Sequence, residues 1–192
     1  MSLLEIEGLT HSFGENLLYK NAGFTLNKGE HIGIVGQNGT GKSTLIKICT
    51  EQIIPDSGRI VWQPNTTIGY LDQYAEIDHT LTMKEFLKSA FTKLFEMEAQ
   101  ALQLYEKAAD GDMKSLELAA RYQEQLEAHD FYSIDTAIDR VANGLGLLAI
   151  GLDRPIAEMS GGQRAKVILA KLLLEKPDVL LLDEPTNFLD KD

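Results

Sequence analysis

The stretch GQNGTGKS, residues Gly36–Ser43, matches the pattern G-x-x-x-x-G-K-[ST]. It follows the apolar run IGIV (32–35), which predicts a strand, and precedes KSTLIKICT, whose spacing predicts a helix. A glycine-rich loop between a strand and a helix presents backbone N–H groups at the positive end of the helix dipole. We therefore expect this segment, called the phosphate loop below, to bind the phosphate groups of a nucleotide.

The residue types within the phosphate loop support that interpretation. Glycines let the backbone approach an anion closely, because no Cβ atom intervenes. We expect the Lys42 side chain to reach the β- and γ-phosphates of ATP and the Ser43 hydroxyl to bind Mg²⁺. The candidate nucleotide-binding residues are Gly36, Gln37, Asn38, Gly39, Thr40, Gly41, Lys42, Ser43 and Thr44.

A second motif, VLLLDE, ends in the acidic pair Asp183 and Glu184. The continuous apolar run predicts a strand buried on both faces, and ligands bind at the carboxyl ends of such strands. Asp183 is expected to hold Mg²⁺ through water, and Glu184 to polarise the attacking water as a general base. An acidic pair could alone be a surface feature, but a phosphate loop in the same chain favours catalysis.

The third motif is MSGGQRAK, which opens a predicted helix running to about Leu174. Ser160 occupies the position of a helix N-cap, and the two glycines after it expose backbone donors. The purely structural alternative is a good helix cap. The combination of S-G-G-Q with a following D-E-P-T segment is much more specific than either motif alone.

With these motifs the chain resembles the ATP-binding cassette family, and the resemblance extends from Phe13 to Asp190. It implies that the segment Ser160, Gly161, Gly162 and Gln163, called the signature segment below, contacts ATP held by the phosphate loop of a partner cassette. It also implies that Phe13 stacks on adenine, and that Gln73 senses Mg²⁺ and the attacking water. Asp190 matches the aspartate that crosses to the partner domain.

Three departures from the family pattern affect what is expected. Met159 stands where leucine is usual, and Phe13 stands where tyrosine is commoner, so a plain core phenylalanine is an alternative there. The family also carries a switch histidine beyond D-E-P-T, whereas the histidines of this chain all lie upstream of it: His11, His31, His79 and His129. The chain therefore resembles a cassette truncated after Asp190, and we expect it to be weakly active or inactive in isolation.

Two features resemble the soluble ABC-F branch of the family. The sequence D-E-P-T-N-x-L-D, here with Phe188 at the variable position, is typical of that branch, and the 86 residues between Gln73 and Ser160 leave room for a helical arm. The resemblance implies a second cassette, from the same native polypeptide or a homodimer, and the ribosome and its rRNA as partners. The alternatives are the ATPase subunit of a membrane transporter and a nucleotide-dependent binding module without significant hydrolysis.

Composition limits the partners and the location. The net charge of −11 argues against a general affinity for nucleic acid. Between Asp72 and Asp135, 14 acidic residues outnumber 6 basic ones, which favours a solvated helical face and is a caution against rRNA contact there. The single cysteine, Cys49, is interpreted as a buried small hydrophobe. With no disulfide, membrane span or secretory signal expected, the predicted location is cytoplasmic.

The expected fold is α/β: a P-loop NTPase core of ABC type with an antiparallel β subdomain and an inserted helical subdomain. Residues 1–81 are predicted to form the β subdomain and core, 82–151 the helical insertion, and 152–192 the signature helix, the VLLLDE strand and the segment to Asp190. The strands expected in the first part are LLEIEGL, a hairpin of GFTL with IGIV, RIVWQP and TTIGYL. The middle part is expected to form three helices with a break at 110–112.

Overall fold

The computed structural model describes residues 1–71, 78–109 and 111–183. These residues fall into two compact units. The first, called the β unit, holds the described residues 1–71 and 176–183, and the second, called the helical unit, holds those from 78 to 175. The sequence predicts a boundary at residue 152 between the helical insertion and the signature helix, and that boundary stays a prediction. The helix that follows Ser160 lies in the helical unit.

The β unit contains two sheets and one helix. An antiparallel sheet has the strand order β2-β1-β3, and a parallel pair is formed by β4 and β5. The elements are β1 (Ser2–Phe13), β2 (Asn16–Asn27), α1 (Lys42–Cys49), β3 (Ser57–Trp62), β4 (Ile68–Leu71) and β5 (Val179–Leu182). The predicted antiparallel β subdomain is confirmed, with LLEIEGL and RIVWQP among its strands, and TTIGYL forms the predicted strand as β4 of the parallel pair.

The alternation of β1 determines where helix α1 packs. Leu4 and Ile6, and Leu9 beyond an irregularity in the strand register, are buried and form one cluster with residues of α1, including Leu45 and Ile48. Side chains of a strand alternate between the two faces of its sheet, so an alternating strand has one apolar face to cover. Helix α1 covers that face, and the end of α1 that follows the phosphate loop is thereby fixed to the antiparallel sheet.

The strand predicted over IGIV, and its hairpin with β2, are wrong. Strand β2 ends at Asn27, and residues 31–37 form neither helix nor strand, with Val35 96% exposed. An apolar β-branched run becomes a strand only where a neighbouring strand supplies its hydrogen bonds, and sequence periodicity does not report that neighbour.

The VLLL run forms the predicted strand, β5, but the prediction that it is fully buried is wrong. Val179 is buried, whereas Leu180 and Leu181 are half-buried and Leu182 is exposed. Among the described strands, β5 pairs only with β4, in a parallel register that places Ile68 opposite Val179 and Leu71 opposite Leu182. One edge of β5 therefore has no partner among the described strands, and Leu182 at its end is exposed.

The helical unit consists of five helices around one core. They are α2 (Met83–Lys88), α3 (Thr92–Ala109), α4 (Met113–Ala128), α5 (Ile134–Gly144) and α6 (Gly161–Glu175). The first predicted helix is divided into α2 and α3 by a 3-10 turn at Ser89–Phe91. The other predicted helices and the separation of α3 from α4 are confirmed. The core includes Met83, Leu87, Leu126, Ile138 and Val167, each fully buried.

Two further observations bear on the predicted properties. No helix in the described ranges is long and apolar enough to cross a membrane. Cys49 is 4% exposed at the end of α1, and burial raises the pKa of its thiol to about 11. The interpretation of Cys49 as a buried small hydrophobe is confirmed.

Candidate nucleotide-binding site

The phosphate loop leads into the N-terminus of α1, and two of its glycines have conformations that other residues rarely adopt. Gly39 has φ +84° and Gly41 has φ +101°, both in the left-handed region. Gly41 is the N-cap of α1, and its carbonyl accepts the hydrogen bond of the Leu45 N–H at 2.9 Å. Because a glycine N-cap has no side chain to bind the first-turn N–H groups, those donors remain available to an anion.

The Lys42 side chain folds back over the phosphate loop. Its Nζ donates hydrogen bonds to the carbonyls of Gly36 and Gln37, each at 3.0 Å, and the Thr40 hydroxyl donates to the Gln37 carbonyl at 2.8 Å. A Cβ atom at Gly36 would lie 2.8 Å from that hydroxyl, so any larger residue there would displace the Thr40 side chain. The positive charge of Lys42 is thus held at the loop by acceptors that a phosphate can replace.

Lys42 and Asp183 line the same cleft of the β unit. The cleft has a volume of about 710 Å³, and its walls also include Ile32, Ile34 and Leu181. The structure therefore brings a cation from the N-terminus of α1 and a carboxylate from the end of β5 to one concave surface. Ser43, next to Lys42 in the first turn of α1, is half-buried.

These side chains fit a magnesium ion bound together with a nucleotide. Mg²⁺ prefers oxygen ligands and is commonly held by one or two carboxylates plus phosphate oxygens and water. Ser43 offers a hydroxyl and Asp183 a carboxylate. Within residues 1–71, 78–109 and 111–183, no group of three or more His, Cys, Asp or Glu side chains is placed to hold a metal ion. The hydroxyl of Ser43 and the carboxylate of Asp183 therefore suit an ion whose coordination is completed by phosphate oxygens and water.

Phe13, the candidate adenine-stacking residue, lies at the end of β1. Its side chain is 54% exposed, which excludes the alternative of a plain core phenylalanine. The buried His11 ring meets the Phe13 ring in an edge-to-face contact, with centroids 5.0 Å apart and an interplanar angle of 80°. An exposed aromatic ring that is held in place by a buried neighbour can stack on a nucleotide base.

Asp56 binds Ser12, the residue before Phe13, and the sequence gives no signal for this contact. Its carboxylate accepts hydrogen bonds from the Ser12 hydroxyl at 2.7 Å and from the Ser12 N–H at 2.8 Å. The hydroxyl bond lowers the pKa of Asp56 below its ordinary value, and the backbone bond and the nearby His11 act in the same direction. No sequence pattern joins the two residues, because they lie on separate segments of the chain.

The signature segment begins helix α6 with a reciprocal cap. The Ser160 hydroxyl accepts a hydrogen bond from the Gln163 N–H at 3.2 Å, and the Gln163 side-chain oxygen accepts one from the Ser160 N–H at 2.9 Å. Arg164 donates from its guanidinium group to the Met159 carbonyl at 2.6 Å. The predicted N-cap at Ser160 is confirmed. Gln163 is engaged with the cap in this structure.

The two glycines of the signature segment are not required by the packing of this chain. Gly161 and Gly162 are exposed, neither has a positive φ, and a Cβ atom built at either would meet no described atom within 4 Å. Glycine near a helix start costs stability relative to alanine, by up to about 1 kcal/mol in a helix interior. The absence of side chains therefore leaves an open surface that something outside the described residues can approach.

Three candidate residues, Gln73, Glu184 and Asp190, lie outside the described residues. Their predicted roles in sensing the water, accepting its proton and reaching a partner domain stay predictions. The structure thus describes the phosphate loop, Asp183, Phe13 and the signature segment. The first of these belongs to the β unit and the last to the helical unit.

A glycine-rich loop that leads into a helix, with a carboxylate from a parallel strand on the same cleft, defines a P-loop nucleotide-binding domain. Residues 19–187 match the sequence profile of the family described as ABC transporter, and the chain belongs to that family of ATP-binding cassettes. Membership supports ATP as the nucleotide and ATP hydrolysis as the general activity of the class.

Related sequences include members of the F branch. The chain is 46% identical to an uncharacterized ABC transporter ATP-binding protein, YfmM of Bacillus subtilis, over all of this chain and 38% of that protein. It is 38% identical to the energy-dependent translational throttle protein EttA of Escherichia coli, over 91% of this chain and 32% of that protein. It is 34% identical to ABC transporter F family member 5 of Arabidopsis thaliana, over 98% of this chain and 28% of that protein.

The chain spans about a third of the length of these relatives, and it resembles an ABC-F cassette. Among solved structures, an ATP-binding subunit of an ABC transporter aligns with a TM-score of 0.66 at 22% identity, covering 98% of this chain and 69% of that one. At that identity the alignment supports similarity of fold and nothing further. The predicted P-loop NTPase fold of ABC type is confirmed.

Proposed function

We propose that the chain binds Mg·ATP at the phosphate loop and, together with a second cassette, hydrolyses it to ADP and phosphate. The observation that carries the proposal is the shared cleft of Lys42 and Asp183 at the start of α1. The Lys42 ammonium at the N-terminus of α1 and the Asp183 carboxylate on the same cleft match the charge pattern of a triphosphate with its metal ion.

The roles of the individual residues follow from their chemistry. Lys42 exchanges the carbonyls of Gly36 and Gln37 for oxygens of the β- and γ-phosphates, and the free N–H groups of the loop and α1 bind the same phosphates. Ser43 and Asp183 would hold Mg²⁺, which when bound neutralises charge on the phosphates as the bond between the γ-phosphorus and the β–γ bridging oxygen breaks. Phe13 stacks on the base.

Hydrolysis also requires groups that activate water. Glu184 accepts a proton as the water oxygen attacks the γ-phosphorus, and Gln73 helps to orient that water. The products are ADP and inorganic phosphate. These two assignments rest on the sequence motifs, and Glu184→Gln is expected to retain Mg·ATP binding while turnover falls by at least about a hundredfold.

The signature segment supports a requirement for two cassettes. Because the Ser160 oxygen already accepts from the Gln163 N–H, its own hydrogen is free to be donated outward. Donation to a γ-phosphate oxygen would stabilise charge as the phosphate is transferred. We propose that this oxygen belongs to ATP on another cassette, with Asp190 crossing to the same partner.

The requirement for a pair can be tested on the isolated chain. Its ATPase activity is expected to be weak, and activity per molecule should rise with protein concentration as copies meet. Mixing the Lys42→Ala and Ser160→Asp variants should restore activity, because one mixed pair contains one site with both an intact phosphate loop and an intact signature segment. Activity per molecule that is independent of concentration, with no complementation, would contradict the proposal.

We further propose that the native protein acts in the cytoplasm as an ABC-F factor associated with the ribosome and its rRNA. The support is the similarity to an F family member and to a translational throttle protein. The acidic segment between Asp72 and Asp135 makes direct rRNA contact by that segment unfavourable, so the contact surface is expected elsewhere. Co-sedimentation of the native protein with purified ribosomes tests this: ATP-dependent pelleting is expected, and its absence in both nucleotide states would contradict it.

A further inference from the structure

Tyr19 connects strand β2 to the phosphate loop. Its position in β2 is paired with His11 of β1, so both side chains lie on the same face of the sheet. The ring packs against the apolar cluster of that face, which includes Leu45 and Cys49 of α1. From there the Tyr19 hydroxyl donates a hydrogen bond to the carbonyl of Gly41, the N-cap of α1.

The contact depends on the glycine as much as on the tyrosine. Gly41 has φ +101° and ψ 5°, and a Cβ atom there would lie 2.6 Å from the Tyr19 hydroxyl oxygen and 3.1 Å from its ring carbon Cζ. Tyr19 therefore packs directly on the backbone of the phosphate loop. The Gly41 carbonyl accepts a second hydrogen bond, from the Leu45 N–H at 2.9 Å. Two donors from different elements thus fix the direction of this carbonyl.

Fixing the carbonyl also fixes a phosphate-binding donor. The Gly41 C=O and the Lys42 N–H belong to one planar trans peptide, so they point in opposite directions. Glycine can rotate through conformations closed to other residues, which leaves this peptide free to reorient unless something holds it. Holding the carbonyl toward Tyr19 and Leu45 directs the Lys42 N–H away from them. Lys42 is the first residue of α1, and its N–H has no partner within the helix.

The hydroxyl is suited to act as a donor. Burial raises the pKa of Tyr19 above its ordinary value of 10.0, so the hydroxyl stays protonated at any physiological pH. A protonated phenol half-buried beside a backbone carbonyl can donate to it, and water competes poorly for the same position.

We propose that Tyr19 is a positioning residue for nucleotide binding: its hydroxyl holds the Gly41–Lys42 peptide so that the Lys42 N–H faces the phosphates. The inference rests on the proposed function of the phosphate loop. It adds a residue outside the G-x-x-x-x-G-K-[ST] motif, from a strand that precedes it in sequence.

The test is the Tyr19→Phe variant, which keeps the ring and removes only the hydroxyl. A neutral hydrogen bond of this kind contributes about 0.5–1.5 kcal/mol, so affinity for Mg·ATP is expected to fall about two- to tenfold in calorimetric titrations. Inorganic tripolyphosphate has the phosphate chain without the base, and its affinity should fall by the same factor. The matched control is Tyr132→Phe, which loses a hydroxyl that accepts from the Gln123 amide at 2.9 Å in the helical unit. It should bind both ligands like the wild type.

The outcomes separate this inference from the proposed function. If the wild type binds Mg·ATP, Lys42→Ala loses binding and Tyr19→Phe binds like the wild type, the phosphate loop assignment stands and the role of Tyr19 is refuted. If Tyr19→Phe lowers the affinity for Mg·ATP but not for tripolyphosphate, the substitution acts on binding of the base and not of the phosphates. The inference is then also refuted. If it lowers only the urea midpoint of the nucleotide-free protein, the hydroxyl is structural. Failure of the wild type to bind either ligand refutes the proposed function itself.

Discussion

Ser160 and Gln163 each bind the backbone N–H of the other, at 3.2 Å and 2.9 Å, so the helix that carries the signature segment begins with a closed pair of hydrogen bonds. This arrangement satisfies two donors at the start of α6 that would otherwise have no helical partner. It also separates two functions of Ser160. The oxygen stabilises the helix, while the hydrogen remains available to a ligand.

Substitutions at Ser160 should therefore separate stability from pairing. Ser160→Ala removes the cap and is expected to lower the free energy of unfolding by about 1 kcal/mol. Ser160→Asp keeps a good N-cap, so its stability should stay near that of the wild type, but a carboxylate would repel a phosphate and abolish pair-dependent hydrolysis. Urea denaturation followed by circular dichroism, with ATPase assays, checks both. A stable and fully active Ser160→Asp variant would refute phosphate donation by Ser160.

Gly162→Ala is expected to stabilise the protein while damaging its function. The position is open and has no positive φ, so alanine fits without strain, and its higher helix propensity contributes up to about 1 kcal/mol. The added methyl group occupies the surface that a partner cassette would approach. Thermal unfolding and concentration-dependent ATPase activity measure the two effects. A variant that is destabilised would show that the glycine serves the fold of α6.

Features set by short-range patterns were predictable from the sequence. The phosphate loop, the Ser160 cap and the helices α4 to α6 depend on local spacing, and the structure has them where the sequence places them. The absence of a strand over IGIV was not predictable, because apolar β-branched residues do not determine which strand will pair with them. The same limit explains why the burial of β5 was overestimated.

The contacts that support the site could not be predicted for a related reason. Tyr19 reaches Gly41 and Asp56 reaches Ser12 only after the antiparallel sheet has formed and α1 has packed on it. In their own segments of sequence, Tyr19 and Asp56 are ordinary polar residues that match no motif. Such contacts depend on strand register, and register is set by the combined packing of several strands.

Cys49 should be unreactive in the folded protein. It is 4% exposed, and with a pKa of about 11 only about one thiol in a thousand is ionised at pH 8. Ellman's reagent should label the native chain very slowly and the urea-unfolded chain within minutes. Rapid labelling of the native protein at pH 8 would mean that the packing of α1 on the sheet is wrong or only transient.

The Asp56 carboxylate predicts a specific pH dependence. Its pKa is lowered from 3.8 in the folded state, chiefly by the Ser12 hydroxyl, so its contribution to stability is present above 3.8 and is lost as pH falls through the lowered value. The Asp56→Asn variant lacks this titration. Urea denaturation of both proteins should give a difference in unfolding free energy that is constant at neutral pH and shrinks below about pH 4. A difference that is unchanged down to pH 3 would contradict the assigned contacts.

Calorimetric titration of Mg·ATP into the wild type, Lys42→Ala and Lys47→Ala compares two lysines of the same helix. Lys47 is exposed in the last turn of α1, away from the phosphate loop, whereas Lys42 lies at the loop and lines the cleft that contains Asp183. Loss of a charge-assisted contact to phosphate should weaken binding at least about tenfold in Lys42→Ala, while Lys47→Ala binds like the wild type. Equal affinity of all three proteins for Mg·ATP would show that the phosphate loop does not bind the nucleotide.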